Sequence, residues 1–198
     1  MDVSRWREAI DDFLKCAKTV VQLAGQRTFL RGSLGEALTL HQLIKTYEED
    51  LNRRGNRISY YGGQRKGYDI LLQLDGREAR LDCKEKTGQD WARNYARRYL
   101  KIEWDKGDHQ HILGVLPPER DLFYVLVDSA RFLDRGDIRF FALSDQEMKR
   151  VVMRAYGRWD GHRRPHSPKS THFVLGVAEV SAYEDNQLIR WKRRLNST

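Results

Sequence analysis

Hydrophobic residues follow two periods along this chain, one typical of helices and one typical of β-strands. Recurrence every three to four positions predicts two amphipathic helices near the N-terminus, carried by Trp6, Ile10, Phe13, Ala17, Val20 and Ala24, and by Ala37, Leu40, Ile44, Tyr47 and Leu51. Alternation or short apolar runs predict strands at residues 58–61, 68–86, 122–128 and 138–143. The sequence SDQE, which begins at Ser144, has the pattern of a capping box and predicts a further helix. Residues 172–180 fit either a late strand or an irregular core segment.

The alternating stretch 68–86, YDILLQLDGREARLDCKEK, contains a strong hairpin signal at Asp75-Gly76. With those two residues in the turn, Leu74 pairs with Arg77. Counting back in register pairs Gln73 with Glu78, Leu71 with Arg80 and Asp69 with Asp82. The sequence therefore predicts two aspartates directly opposite each other on adjacent strands.

Lys84 joins these aspartates on one face of the hairpin, because side chains alternate along a strand. The opposite face is apolar and comprises Ile70, Leu72, Leu74, Ala79, Leu81 and Cys83. Like charges directly opposite each other on a sheet are destabilising unless they are compensated, and a divalent cation would compensate them. A half-buried hairpin with a merely charged outer face is the alternative. Aspartate is a poor strand residue, so its placement in register favours the functional interpretation.

At these residues the sequence resembles the PD-(D/E)xK nuclease superfamily, which has the restriction-endonuclease-like fold. In that family an acid at the start of one strand and an acid-x-lysine on the next form a metal site, and Asp69 and Asp82-x-Lys84 match those positions. The segment GYDI, a short hairpin and LDCKEKTG look in particular like Mrr-type and related restriction nucleases, although Tyr68 stands where the family name has proline. The resemblance covers about residues 33–105. It implies an α/β (α+β) fold with a mixed central sheet flanked by helices.

Glu36 lies in the second predicted helix, SLGEALTLHQLIKTYEEDLNRRG, at the edge of its apolar stripe. The family often carries a glutamate on the helix before the hairpin, so the resemblance implies a place for Glu36 in the metal site. Ser33-x-x-Glu36 is also a capping box, in which the glutamate returns to the helix N-terminus. The sequence leaves both interpretations open.

The resemblance implies Mg²⁺ as cofactor, with Mn²⁺ as an expected substitute. Carboxylate-held Mg²⁺ neutralises the scissile phosphate and makes water nucleophilic at neutral pH. Asp69 and Asp82 would be direct ligands, with the backbone carbonyl of Cys83 as a third, and Glu36 would hold a second metal or a metal-bound water. Lys84 would orient or deprotonate the attacking water or stabilise the transition state, and the sequence does not separate these roles.

An excess of 36 Lys and Arg over 28 Asp and Glu gives a formal net charge of +8, which favours a polyanion such as DNA as partner. The segment WARNYARRYLKIEW is interpreted as a helix whose aromatic face packs on the sheet and whose basic face contacts phosphates. A second basic region, residues 158–169, is predicted as a long loop that orders on DNA or stays mobile. The expected nucleic-acid contacts are Arg80, Lys86, Gln89, Arg93, Arg97, Lys101, Arg163 and Arg164.

A single nuclease domain is expected over residues 1–198, with N-terminal helices in 3–54, the catalytic hairpin in 67–86 and a basic helix with further sheet and helix in 90–198. The chain has no apolar stretch of membrane-spanning length, no start resembling a signal peptide and only two cysteines, so a cytoplasmic protein is expected.

The function favoured by the sequence is a Mg²⁺-dependent DNA endonuclease of a restriction or defence system. A junction-resolving or repair nuclease would use the same residues. A non-catalytic DNA-binding subunit with a nuclease-like fold and an RNA-directed activity both stay open. Because cutting a duplex needs two active sites, a homodimer or two sequential nicks are expected.

Overall fold

The computed structural model describes residues 3–24, 28–61, 67–86, 91, 99–104, 110–131, 137–160 and 175–191. Its helices are α1 (Val3–Ala24), α2 (Thr28–Thr46), α3 (Glu48–Leu51), α4 (Asp145–Asp160) and α5 (Val177–Val180), followed by a 3₁₀ turn at Ser181–Tyr183. Its strands are β1 (Arg57–Tyr60), β2 (Ile70–Leu74), β3 (Arg77–Glu85), β4 (Leu100–Trp104), β5 (Gln110–Val115), β6 (Leu122–Arg131) and β7 (Asp137–Ser144). No helix among these residues is long and apolar enough to cross a membrane.

Five of the strands form one mixed sheet in the order β1-β2-β3-β6-β7. Strands β3 and β6 are parallel, whereas the other neighbouring pairs are antiparallel. Strands β4 and β5 form a separate antiparallel pair, which belongs to the connection between β3 and β6. A mixed sheet with helices packed against it is the α+β class that the sequence predicted.

The hairpin between β2 and β3 has the predicted register, with Leu74 opposite Arg77. Asp75 and Gly76 both have positive φ, at 50° and 79°, as a two-residue type I′ turn requires. The prediction that Asp69 pairs within the strand ladder is wrong, because β2 begins one residue later, with Ile70 opposite Leu81. Asp69 lies just before the strand, and its side chain is therefore not restricted to one position of the pleat.

The sheet is buried on both faces, between two apolar clusters. The six predicted inward residues of the hairpin all belong to the cluster beneath α1 and α2, with Leu38, Leu43 and Ile44 of α2 among their partners. The opposite cluster contains Tyr124, Phe141 and residues of α4. Trp91 and Tyr99 are also buried there, which confirms that these aromatics pack in the core, while Tyr95 lies outside the described residues. Because apolar side chains pack on both faces of the sheet, the strands hold the polar residues at their ends in fixed positions.

Local signals predicted the start of α4 correctly. Glu147 accepts a hydrogen bond from the backbone N–H of Ser144 at 2.8 Å, and the Ser144 hydroxyl accepts one from the N–H of Glu147 at 3.3 Å. This reciprocal pair is the predicted capping box. Helix α4 continues to Asp160, so residues 158–160 of the predicted basic loop are helical.

Two other segments differ from prediction. Leu100–Trp104 is β4 and not the end of a basic helix, because these residues pair with β5 across an antiparallel ladder. The spacing that suggested a helix there is overridden by this pairing, as β-propensity depends on tertiary context. In the segment 172–180, Val177–Val180 forms the short helix α5 and Leu175 forms an isolated β-bridge with Trp91, whereas residues 172–174 lie outside the described residues.

Candidate active site

The two aspartates and the lysine singled out in the sequence meet at the N-terminal end of β2. Lys84 Nζ forms an ion pair with Asp82 Oδ1 and lies 3.7 Å from Asp69 Oδ2. Asp69 and Asp82 are buried, with 6% and 8% of their surface exposed, whereas the Lys84 side chain is 40% exposed. One cation with access to solvent therefore lies between two buried carboxylates.

The unequal lengths of two strands explain how Asp69 reaches this position. Strand β3 continues to Glu85, but its ladder with β2 ends where Leu81 lies opposite Ile70, the first residue of β2. The Asp69 carboxylate takes the place of the missing strand, because its Oδ2 accepts a hydrogen bond of 2.8 Å from the N–H of Cys83. The Asp69 N–H in turn donates to the Leu81 carbonyl at 2.8 Å. Asp69 is thus fixed to β3 through both backbone and side chain.

The electrostatics of the site leave one negative charge in excess. Burial raises the pKa of Asp82 to about 6, although Lys84 opposes the rise. Burial alone would lower the pKa of Lys84, but attraction to Asp82 and Asp69 outweighs it, so this pKa lies above its ordinary value. The two shifts agree physically, since one lysine is shared by two carboxylates and cannot neutralise both. A further cation would relieve this imbalance.

Helix α2 carries a third carboxylate, Glu36, close enough to interact electrostatically with both aspartates. Gly35 permits this approach, because a Cβ atom at that position would lie only 2.8 Å from Glu85 Cβ. The next residue, Glu36, accepts a hydrogen bond of 2.7 Å from the Tyr60 hydroxyl. Burial raises the pKa of Glu36, and repulsion from Asp69 and Asp82 adds to the rise. Glu36 therefore lies within electrostatic range of both aspartates.

The capping-box interpretation of Ser33 and Glu36 is wrong. Helix α2 begins at Thr28, so Ser33 lies inside the helix and not at its N-terminus. The Glu36 carboxylate is directed to Tyr60 of β1 instead of to its own backbone. Its metal-site role stays a prediction.

The atoms assembled here are suitable donors for Mg²⁺. Carboxylate and carbonyl oxygens are its usual protein ligands, and one or two carboxylates commonly suffice because water completes the coordination. The Cys83 carbonyl points to the same side as the Cys83 N–H, which faces Asp69. Within the described residues, no group of three His, Cys, Asp or Glu side chains is arranged to hold a metal ion. The fit therefore depends on two aspartates, one carbonyl and water.

The predicted nucleic-acid contacts occupy varied environments. Arg80 donates to the Arg120 carbonyl at 2.6 Å, and its side chain remains 31% exposed. Lys86 lies 3.0 Å from Asp128 Oδ2, is only 10% exposed and has the Trp91 ring 5.8 Å away, so a phosphate contact would require it to leave this ion pair. Lys101 lies on β4. Gln89, Arg93, Arg97, Arg163 and Arg164 lie outside the described residues.

Sequence reasoning missed Gly35 and Tyr60 as parts of this site. No motif marks either residue, since Gly35 matters only through its approach to β3 and Tyr60 only through its contact with α2. The glycine directly before Glu36 was the one available signal, because glycine inside a helix is costly and suggests close packing.

Comparisons of the chain with protein-family models, curated proteins and solved structures found no match.

Proposed function

We propose that this protein is a Mg²⁺-dependent endonuclease that hydrolyses DNA phosphodiester bonds, in a restriction or other defence system. The observation that carries the proposal is the placement of Lys84 between the buried carboxylates of Asp69 and Asp82 at the end of β2. The resemblance of the hairpin to PD-(D/E)xK nucleases points to the same chemistry.

The charge balance of the site supports a role for a divalent cation. Two aspartates with one lysine leave an excess negative charge that would repel a DNA phosphate. When bound, Mg²⁺ would neutralise charge on the phosphate and lower the pKa of a water molecule. Asp69, Asp82 and the Cys83 carbonyl would hold this ion. Glu36 would orient a second ion or a water bound to the first.

Lys84 would act on the phosphate or on the attacking water. Its Nζ lies beside both proposed metal ligands, and its side chain reaches solvent. An ammonium group beside the metal ligands can donate hydrogen bonds to an incoming water or to a phosphate oxygen. The phosphate oxygens gain negative charge in the transition state, which the ammonium group stabilises. The residue would stabilise that charge while the aspartates remain bound to the metal.

The charge of the whole chain supports a nucleic-acid substrate. A net charge of +8 attracts a polyanion over distances longer than any single contact. DNA is preferred to RNA because the resemblance is to DNA-cleaving enzymes, and the two are distinguished by experiment.

Plasmid cleavage tests the proposal directly. Supercoiled plasmid and genomic DNA, methylated and unmethylated, would be incubated with the protein in Mg²⁺, Mn²⁺ or EDTA, beside Asp82→Asn and Lys84→Ala. Loss of one electrostatic catalytic group typically reduces turnover on the order of 10²- to 10³-fold, so both variants should be nearly inactive. Exposed residues of the N-terminal helices provide matched controls, Asp12→Asn and Lys45→Ala, which should cut like the wild type.

The outcomes distinguish the candidate functions. DNA cleavage that requires metal and is lost in both variants supports the proposal. Cleavage of an RNA duplex but not of DNA would reassign the substrate. DNA binding of equal strength in wild type and variants, with no cutting in any metal, would contradict the enzyme and favour a binding subunit.

A further inference from the structure

Tyr60, the last residue of β1, connects the edge of the sheet to the candidate site. Its cross-strand partner is Ile70, and Ile58 two residues earlier faces the core beneath α2. The Tyr60 side chain consequently points to the α2 side of the sheet, where its hydroxyl donates to Glu36 Oε2 at 2.7 Å. This contact joins residues 24 positions apart in sequence.

The backbone around Tyr60 is also fixed to the site. The N–H of Tyr61 donates to the carbonyl of Asp69 at 2.9 Å, so the end of β1 is tied to the residue that carries one of the two buried aspartates. The backbone hydrogen bond between Tyr61 and Asp69 fixes the position of Tyr60 relative to Asp69, and the Tyr60 hydroxyl is hydrogen-bonded to Glu36. Together these bonds set the position of Glu36 relative to Asp69.

A tyrosine suits this task because its hydroxyl can donate to a carboxylate without adding charge. Hydrogen bonds to ionised groups are shorter and stronger than neutral ones. A glutamate side chain has several rotatable bonds, and fixing them costs entropy that a preformed hydrogen bond removes from the binding step. Among the residues that the structure describes, Tyr60 is the hydrogen-bond partner of Glu36 and engages Oε2, which leaves Oε1 for a ligand.

We propose that Tyr60 is a positioning residue that orients the Glu36 carboxylate for a divalent cation or its bound water. The inference rests on the metal site of the proposed function, because the role given to Glu36 is to hold a metal ion or its bound water. It goes beyond the family resemblance, which assigns nothing to β1. Tyr60 itself does not touch the reacting phosphate in this assignment, although the residue is 38% exposed.

The test is a double-variant cycle on Mn²⁺ binding and on DNA cleavage. Tyr60→Phe retains the ring and removes only the hydroxyl, and it would be combined with Glu36→Ala. Calorimetry on the metal-free proteins measures Mn²⁺ affinity, and plasmid cleavage at varied Mg²⁺ and DNA concentrations measures kcat and KM. Tyr183→Phe is a matched control, since Tyr183 lies in the 3₁₀ turn beneath Arg190. Thermal unfolding would show that each variant is folded.

Tyr60→Phe should weaken Mn²⁺ binding about tenfold, the effect of one charge-assisted hydrogen bond. It should raise the Mg²⁺ requirement for cleavage and lower kcat, with KM for DNA unchanged. In the Glu36→Ala background the same change should have no further effect. Tyr183→Phe should match the wild type.

Additive losses in the double variant, or wild-type Mn²⁺ affinity in Tyr60→Phe, would overturn the inference. A rise in KM alone would also overturn it, since this would make Tyr60 a DNA contact. If the wild type cuts no substrate but the Mn²⁺ cycle shows coupling between Tyr60 and Glu36, the proposed function fails and the positioning role stands. If the wild type neither binds Mn²⁺ nor cuts DNA, both are wrong.

Discussion

Replacement of Asp82 by asparagine should stabilise the metal-free protein, although it removes a proposed catalytic group. Burial raises the pKa of Asp82 from 3.8 to about 6, with the attraction of Lys84 already included. A difference of about two pKa units corresponds to about 3 kcal/mol, which is the cost of keeping this carboxylate ionised in the folded protein. The Asp82 side chain is only 11% exposed, so solvent screening does not reduce the figure much. Asparagine has nearly the same shape and no charge.

The sign of the pH dependence follows from the raised pKa. Well below pH 4 the carboxyl group is protonated in both the folded and the unfolded protein, and it contributes no penalty. As the pH rises through about 6, the folded protein must ionise a group that the unfolded chain ionises more readily. The free energy of unfolding of the wild type should therefore fall between about pH 4 and pH 6, relative to Asp82→Asn.

Urea unfolding of metal-free wild type and Asp82→Asn, followed by circular dichroism at several pH values, measures this difference. The variant should be more stable by about 2 to 3 kcal/mol above pH 6 and nearly equal to the wild type at pH 4, because one hydrogen-bond mismatch offsets part of the gain. Asp12→Asn, on the surface of α1, should show no such pH dependence. Equal stability at pH 7, or a variant less stable than the wild type, would refute the argument that Asp82 is held ionised at a cost. Addition of Mg²⁺ should stabilise the wild type more than the variant, since binding to the folded state alone raises stability.

Three further changes test how the site is supported. Gly35→Ala should destabilise the protein by about 1 to 3 kcal/mol and reduce cleavage, because the new Cβ would lie 2.8 Å from Glu85 Cβ and push α2 away from β3. Ser144→Ala should cost about 1 kcal/mol in urea unfolding, through loss of the α4 cap, and leave cleavage unchanged. Lys86→Met should destabilise by about 3 kcal/mol or more, because it leaves the nearly buried Asp128 carboxylate without its ion pair.

Matched variants make these results interpretable. Asp128→Asn added to Lys86→Met should recover most of the lost stability, since no charge then remains unpaired. A Lys86→Met protein with unchanged stability and weaker DNA binding would instead show that Lys86 contacts phosphate. Normal stability of Gly35→Ala would mean that α2 and β3 do not need their close approach, and a loss of cleavage in Ser144→Ala would mean that α4 is coupled to the site.

The sequence by itself determined the hairpin, its register and the residues on each of its faces. Alternation assigned Ile70, Leu72 and their neighbours to the core, and Asp75-Gly76 fixed the register that places Asp82 and Lys84 on one face. The helix start at Ser144 was equally readable. These features follow from interactions within a few residues, such as turn conformation, side-chain alternation and capping, which the local sequence specifies.

Tertiary structure decided the features that depend on residues distant in the chain. The position of Asp69 against Cys83 follows from where β2 begins, and the contact of Glu36 with Tyr60 follows from the packing of α2 on the sheet. The pairing of β4 with β5 overrode a helical pattern. Each of these features depends on which elements become neighbours after folding. The sequence of a single helix or strand does not specify the backbone or the charges of the element that packs beside it.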